Sequence, residues 1–434
     1  MKTKFFFFLA MLLMSSVGAF AHDIEAKNAD GITIYYVWTN NNTELAVSFR
    51  GSEYDSYSDE YSGKVVIPES VKIDGSTYNV TSIGKGAFGW CVSLESIDLP
   101  SSLKTIGDGA FFHTALESIT LPEEITTIGE GAFDGCENLK EVKVLNPVPV
   151  ALTNAETFSN RANATLYVPM GSKVAYKAAD FWKDFAEIRE IFTAPIQLND
   201  GIINARFSII DYNAKTVETF GTYNLGPAID KTTEGSIAIP EEVNGYKVVR
   251  IGDWSFRDCN TITSVSLPAT ITDIGGSAFR TCYKLDQINI PEGVTHIGSN
   301  AFKNCLFESV NLPSSLLTIE DLAFDHCDQL ASVTMNGATP PTIGEYTFSN
   351  RDNIILYVPN KSISAYKEAN IWKDFKEILG TGDLSGNGFL GPEDVSAMAD
   401  LIMSGTYDAK ADLNGDYKVN AVDLVILTNI INQK

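Results

Sequence analysis

At 434 residues, 44% of them apolar, the chain is long enough for two or three domains with sizeable cores. Its formal charge of −23 repels phosphate backbones and anionic lipid, which argues against nucleic acid and anionic membranes as partners. The same excess of carboxylate suits an exported protein that must stay soluble, and it suits cation binding.

The first 21 residues read as a secretory leader. Lys2 and Lys4 make a basic start, Phe5 to Val17 is a run of 13 that is apolar but for Ser15 and Ser16, and Ala19-Phe20-Ala21 supplies the small residues of a cleavage site. A membrane span is the alternative, but it needs ~20 apolar residues. No later stretch offers one, so no transmembrane segment is expected. Cleavage after Ala21 leaves a soluble chain that begins at His22, carries −25 once the two lysines are gone, and is secreted or displayed at the cell surface.

From residue 22 to 194 the chain reads as one capped repeat array. The β-rich segment DGITIYYVWTNNNTELAVSF comes first, and turns then begin at Val80, Leu103 and Ile125 with a period of 22 or 23 residues. The shared pattern is IG-x-x-AF-x-x-C-x-x-L-x-x-I-x-LP, with Thr114 at the Cys position of the middle turn. The L-x-x-I-x-L part predicts one short parallel strand, with Ile97 and Leu99 inward and Ser96, Asp98, Ser118, Thr120, Glu141 and Lys143 outward. Pro100 and Pro122 end these strands, where no further ladder donor is needed. The Ala87-Phe88 pair starts the return limb and sends its ring inside. No turn can bury its apolar face alone, so the turns must stack. An LYVP strand and an amphipathic helix, with Tyr176, Phe181, Trp182, Phe185 and Ile188 as its apolar set, read as a closing cap.

The second array, residues 195–380, repeats this plan. ETFSNRANATLYVP from Glu156 recurs from Tyr346, and FWKDFAEI from Phe181 recurs from Ile371, both displaced by 190, whereas Ile83 matches Ile251 at 168. The difference of 22 is one extra turn, so this array has four, beginning at Val248, Ile271, Val294 and Leu316. Two separate solenoids joined near Thr193 to Asn199 are expected, rather than one continuous superhelix. The outward strand residues Ser264, Ser266, Gln287, Asn289, Ser309, Asn311, Ser332 and Thr334 are small, polar and uncharged. They read either as ordinary solvated surface or as a hydrogen-bonding contact face for a protein or glycan.

All six cysteines fall at one repeat position, three residues after the repeat Phe. Cys91 and Cys136 are two turns apart, roughly 10 Å, beyond disulfide reach. Cys259, Cys282, Cys305 and Cys327 stack with parallel side chains. Buried free thiols are the expectation. The four histidines show no ligand spacing, and no nucleophile elbow or triad signature appears, so no catalytic residue is assigned.

These turns resemble the BspA-like leucine-rich repeats of bacterial surface proteins. The resemblance covers Val80 to Asn146 and Val248 to Gly337, plus caps, and it implies a leucine-rich-repeat solenoid. It also implies a surface or secreted protein, some relatives being adhesins.

After Gly380 the pattern changes. DLSGNGFLGPED, Asp383 to Asp394, recurs as DLNGDYKVNAVD, Asp412 to Asp423, displaced by 29. Both fit a 12-residue EF-hand calcium loop, which needs hard oxygen donors at alternating positions. The first set is Asp383, Ser385, Asn387, the Phe389 carbonyl, Gly391 through water, and Asp394. The second is Asp412, Asn414, Asp416, the Lys418 carbonyl, Asn420 and Asp423. Two Ca²⁺ sites follow, the first weaker because it holds only two carboxylates. Tyr417 stands where the second loop would ordinarily turn on Gly. Each loop runs into a helix.

Paired loops with Asp at position 12, each followed but not preceded by a helix, are similar to a dockerin, here residues 381–434. That resemblance implies a small all-α calcium-binding module that docks on a cohesin-type partner through positions 10 and 11. Those are Pro392 and Glu393 in one half, Ala421 and Val422 in the other. The resulting expectation is a non-enzymatic adhesion or binding protein. The alternative, drawn from dockerin company alone, is a polysaccharide-active, glycoside hydrolase-like protein of a polysaccharide-degrading assembly.

Overall fold

A computed structural model describes residues 22–51, 59–199, 201–386, 390–408, 410–413 and 418–432. Residues 1–21, read from the sequence as a leader, therefore lie outside the described residues. No helix among those described is long and apolar enough to cross a membrane. The chain divides into two compact units, the first ending at Ile191 and the second running from Phe192 to the C-terminus.

Each turn contributes two rungs rather than the one expected. In the first unit the longer rungs are Gly63–Val66 paired in parallel with Leu94–Asp98, and a further parallel run of Ser118–Leu121, Glu141–Val144, Thr165–Pro169 and the start of Glu187–Leu198. A second parallel ladder runs Glu44–Ser48, Ser76–Ile83, Thr105–Ile106 and Thr127–Ile128. Its rungs after the first turn are only two residues, the Thr-Ile before each Gly, too short for a periodicity to reveal them.

The second unit is built the same way. Gly235–Ala238, Ile262–Ser266 and Gln287–Asn289 pair in parallel, as do Ser309–Leu312, Ser332–Met335, Ile355–Val358 and Glu377–Gly380. Its short ladder runs Thr216–Thr219, Tyr246–Ile251, Asp273–Ile274, His296–Ile297, Thr318–Ile319 and Thr342–Ile343. The β-rich lead-in segments supply antiparallel strands that open each unit: Ile24–Lys27 and Thr33–Thr39 in the first, Gly201–Asp211 in the second.

Between the ladders the repeat Phe rings form a column. Phe88, Phe111, Phe133 and Phe158 stack at centroid spacings of 5.2, 5.0 and 4.7 Å. Phe256, Phe279, Phe302, Phe324 and Phe348 do so at 5.1, 5.4, 5.1 and 5.0 Å. Phe158 and Phe348 lie just before the LYVP strands read as caps, and those strands pair in parallel with the rung before them, so the coil carries on through the cap segments. The expected amphipathic helix is also broken. Lys173–Ala178 is helical, Phe181 takes a left-handed φ of 65°, Trp182–Asp184 is a 3₁₀ turn, and Ile188 lies in a strand. The left-handed residue turns the chain so that Trp182 and Phe185 face the column's end, which one straight helix could not arrange. Buried Trp182 donates from Nε1 to the Val150 carbonyl at 2.7 Å, and Trp372 to that of Pro341 at 2.9 Å.

All six cysteines are free and buried. The thiols of Cys136, Cys282, Cys305 and Cys327 donate to the carbonyls of Phe111, Phe256, Phe279 and Phe302, the Phe of the turn before, at 3.0 to 3.3 Å. The repeat position is thus small enough for the column, and in these four cases it gives a second donor to a carbonyl that already accepts a backbone N–H.

The C-terminal tail belongs to the second unit. Its helices, Pro392–Ser404 and Ala421–Asn432, share a small core of Leu390, Met398, Ala411 and Leu427.

Candidate functional site

The outward side chains of the second unit's long ladder line a shallow groove of ≈ 290 Å³. Ile237, Val265 and Ile288 are buried beneath it, so its floor is as rigid as the core. Above them stand Ser236, Ser264, Ser266, Gln287 and Asn289, with Gln197 and Asn199 at the rim; none is charged. Asn199 Oδ1 accepts from the Ser236 backbone nitrogen at 2.8 Å, and Ser264 Oγ donates to Ser236 Oγ at 2.6 Å. Ser266, Gln287 and Asn289 are exposed, leaving hydroxyl and amide groups for a partner. The corresponding residues of the first unit are half-buried, apart from exposed Asp98, which pairs with Lys64 at 2.8 Å.

The face is shorter than its sequence suggests. Asn311 and Thr334, read as solvent-facing, are 8% and 2% exposed. They share a row with Tyr357, and the tail covers that row. Asn311 Nδ2 donates to Asp412 Oδ2 at 3.3 Å, and the Tyr407 hydroxyl donates to the same oxygen at 3.3 Å. Burial, with the charges of Asp408 and Glu377, raises the Tyr357 pKa. Where tail and array meet, Asp286, Glu308, Gln329 and Tyr407 line a second hollow. Burial and then the Glu308 charge raise the Asp286 pKa.

Of the loop residues, Asp383, Asp394, Asp412 and Asp423 are all buried carboxylates. In the first loop Asp394 accepts from the backbone nitrogens of Ser385 and Gly391, both at 2.8 Å, and Ser385 Oγ donates to Asp383 at 3.3 Å. Burial opposes the charge of Asp394, but those backbone donors outweigh it and hold its pKa low. In the second loop Asp423 accepts from Leu413 and Asn420 nitrogens, both at 2.9 Å. Each position-12 carboxylate is thereby folded back toward the start of its own loop. Asn387, Phe389, Asn414 and Asp416 lie outside the described residues. Among the described residues no three or more acidic, His or Cys side chains gather as a metal centre. Pro392, Glu393, Ala421 and Val422 are exposed in the first turns of the two helices.

A model of the BspA type leucine rich repeat region matches residues 68–178 and 249–370 in six copies, more than half of the chain. The chain belongs to the BspA-type leucine-rich-repeat family. Its fold is that family's: leucine-rich repeats whose strands stack in parallel sheets. No curated protein matches it. Among solved structures, a leucine rich cell surface protein from Faecalibacterium prausnitzii A2-165 is 15% identical, over 84% of this chain and 96% of that one, with a TM-score of 0.31. The pneumococcal vaccine antigen PcpA is 15% identical over 82% and 99%, with a TM-score of 0.33. A leucine-rich repeat protein from Bacteroides ovatus ATCC 8483 is 17% identical over 79% and 97%, with a TM-score of 0.27.

The BspA-type turns also carry a charge ladder that sequence reasoning missed. Arg250 donates to Glu218 and to Asp273, both at 2.5 Å. His296 faces Asp273 through Nδ1 at 2.7 Å and Glu320 through Nε2 at 3.1 Å. Burial opposes charging this ring, but the two carboxylates outweigh it and raise its pKa. Arg250, Asp273 and His296 all precede the Ile of I-G, so an alternation of sign at one repeat position was the available signal.

Proposed function

We propose that this chain is a non-enzymatic binding protein, exported to the cell surface or beyond, whose repeat sheets are its contact surface. The observation that carries the reading is the uncharged groove at Ser236, Ser264, Ser266, Gln287 and Asn289. A rigid apolar floor topped by hydroxyls and amides recognises by hydrogen bonds rather than by net charge, which fits a glycan or a polar protein surface. The test is a screen of the full chain against glycan and surface-protein arrays, repeated with Ser266→Arg and Asn289→Arg together. Binding lost in the double variant supports the groove. Equal binding by both chains removes it, and turnover of any glycan in the screen would favour a hydrolase instead.

The tail, in this reading, binds two calcium ions and attaches the protein to a cohesin-type module through Pro392, Glu393, Ala421 and Val422. Asp383, Ser385, Asn387, the Phe389 carbonyl and Asp394 would hold one ion. Asp412, Asn414, Asp416, the Lys418 carbonyl, Asn420 and Asp423 would hold the other. The donor set is entirely oxygen, and four of its carboxylates are buried, which suits a hard divalent cation. Calcium, when bound, supplies positive charge to buried carboxylates and so stabilises the fold around them. Pull-down of a cohesin module by the full chain should require calcium and should fail with chelator. Capture that ignores chelator would overturn the docking reading.

A further inference from the structure

Three of the second unit's repeat phenylalanines are followed by a cation: Arg257, Arg280 and Lys303. In a chain with 55 acidic against 32 basic side chains this runs against the overall composition, and the first unit places Gly89, Phe112 and Asp134 there instead. The three cations sit on the limbs that join the short ladder to the long one, apart from the uncharged groove. Backbone bonds hold successive limbs in register: Asp258 donates to the Arg280 carbonyl at 2.9 Å, and Thr281 to that of Lys303 at 2.8 Å. The side chains therefore share one row, at a pitch of about 5 Å. Lys303 is paired with Asp325 at 2.7 Å. The two arginines are not so engaged. Arg257 lies over the rings of Tyr223 and Trp254, 4.6 and 4.7 Å from their centroids, which holds the guanidinium by its face and leaves donors at its edge. Its neighbour Asp258 stands 3.5 Å from Nε and already accepts from Lys231 at 3.0 Å and from the Thr281 hydroxyl. Among the described residues Arg280 makes no ion pair, and the Nε of each arginine is buried without a hydrogen-bond partner.

We infer that Arg257 and Arg280 form a second binding site, one that takes the carboxylate of an acidic sugar in a glycan, with Tyr223 stacking on the sugar ring. Guanidiniums one rung apart can clasp a single carboxylate through paired N–H donors, the geometry in which such bonds are strongest. Tyr223, 59% exposed, offers a flat ring beside Arg257 to the apolar C–H face of a pyranose. The net charge of −23 disfavours a densely charged polyanion, so a ligand with one carboxylate per sugar is the better match. An acidic peptide would engage the arginines but leave the exposed ring idle. The site is charge-selective where the groove is not, and it stands or falls independently of the groove.

The experiment is calorimetric titration of the full chain with galacturonate, glucuronate and sialyl oligosaccharides, with the methyl ester of each, and with a glutamate oligomer. The expected result is binding of at least one acidic oligosaccharide, lost in its ester and weakened by added salt. Arg257→Gln and Arg280→Gln should each weaken it about tenfold to a hundredfold, the effect of deleting a hydrogen bond to a charged group. Tyr223→Ala should weaken it less, and Ser266→Arg together with Asn289→Arg, which block the groove, should leave it unchanged. Should Arg257→Gln misfold by circular dichroism for want of its ring contacts, Arg280→Gln decides. Binding of none of the acidic oligosaccharides would overturn the site, as would equal affinity for acid and ester or for the unsubstituted chain and Arg280→Gln. Tighter binding of the glutamate oligomer would overturn it too, and would assign the row to an acidic protein.

Discussion

Gly107 shows what the repeat demands of a single residue. A Cβ added there would stand 2.6 Å from the Lys85 backbone nitrogen, and one on Gly298 would stand 2.5 Å from that of Gly276. The I-G step is where successive turns touch backbone to backbone, so glycine serves close approach rather than an unusual φ. Gly107→Ala should cost about 1–3 kcal/mol, as overpacking does, read as a lower urea midpoint. An unaltered midpoint would mean the turns can part without penalty. The left-handed positions tell a different story. Two residues before the Phe, the first array places Gly86, Gly109 and Gly131, but the second places Trp254, Ser277, Asn300 and Leu322, all at φ between 54° and 63°. The Phe at the heart of each turn was legible from the pattern, because a large apolar residue recurring at one position has few other uses. The reason for the glycine beside it was not, since it depends on a neighbour some 22 residues away.

Among the elements, the ones that escaped notice are those whose partners are remote in sequence. The two-residue rungs exist only as members of a ladder, and a Thr-Ile pair carries no signal of its own. The closing helix was misread because Phe181 and Ile371, at φ of 65° and 70°, break it where an apolar periodicity continues through. The short ladder also yields a pH prediction. With its pKa raised between Asp273 and Glu320, His296 stabilises the fold fully below its unfolded value of about 6.5. That contribution fades as pH climbs through the higher folded value. The expected outcome is that His296→Gln lowers the urea midpoint at about pH 5.5, with the gap closing in alkaline buffer. A gap that is constant across the range would show that the ring acts by packing alone.

For the whole molecule, duplication was the most legible feature and burial by the tail the least. Offsets of 190 and 168 count turns without any structure, whereas nothing in the sequence of Ser309–Leu312 says that Asn311 will be covered by residues about 100 positions later. The units have separate cores, one ending at Ile188 and the other starting at Ala194. Calorimetry should accordingly resolve two transitions, with Phe111→Ala lowering one and Phe279→Ala the other, each by about 3–5 kcal/mol. A single transition moved equally by both would show that the cores melt as one. The cysteine column has a consequence of its own. Burial above all pushes the Cys91 thiol up to about 11 and those of Cys259 and Cys327 to about 12, so thiolate, the reactive form, is scarce in the folded state. An alkylating reagent would meet each sulfur only while its own coil is ajar. Six tags, appearing in sequence on a mass spectrum, would chart the order in which the spring uncoils.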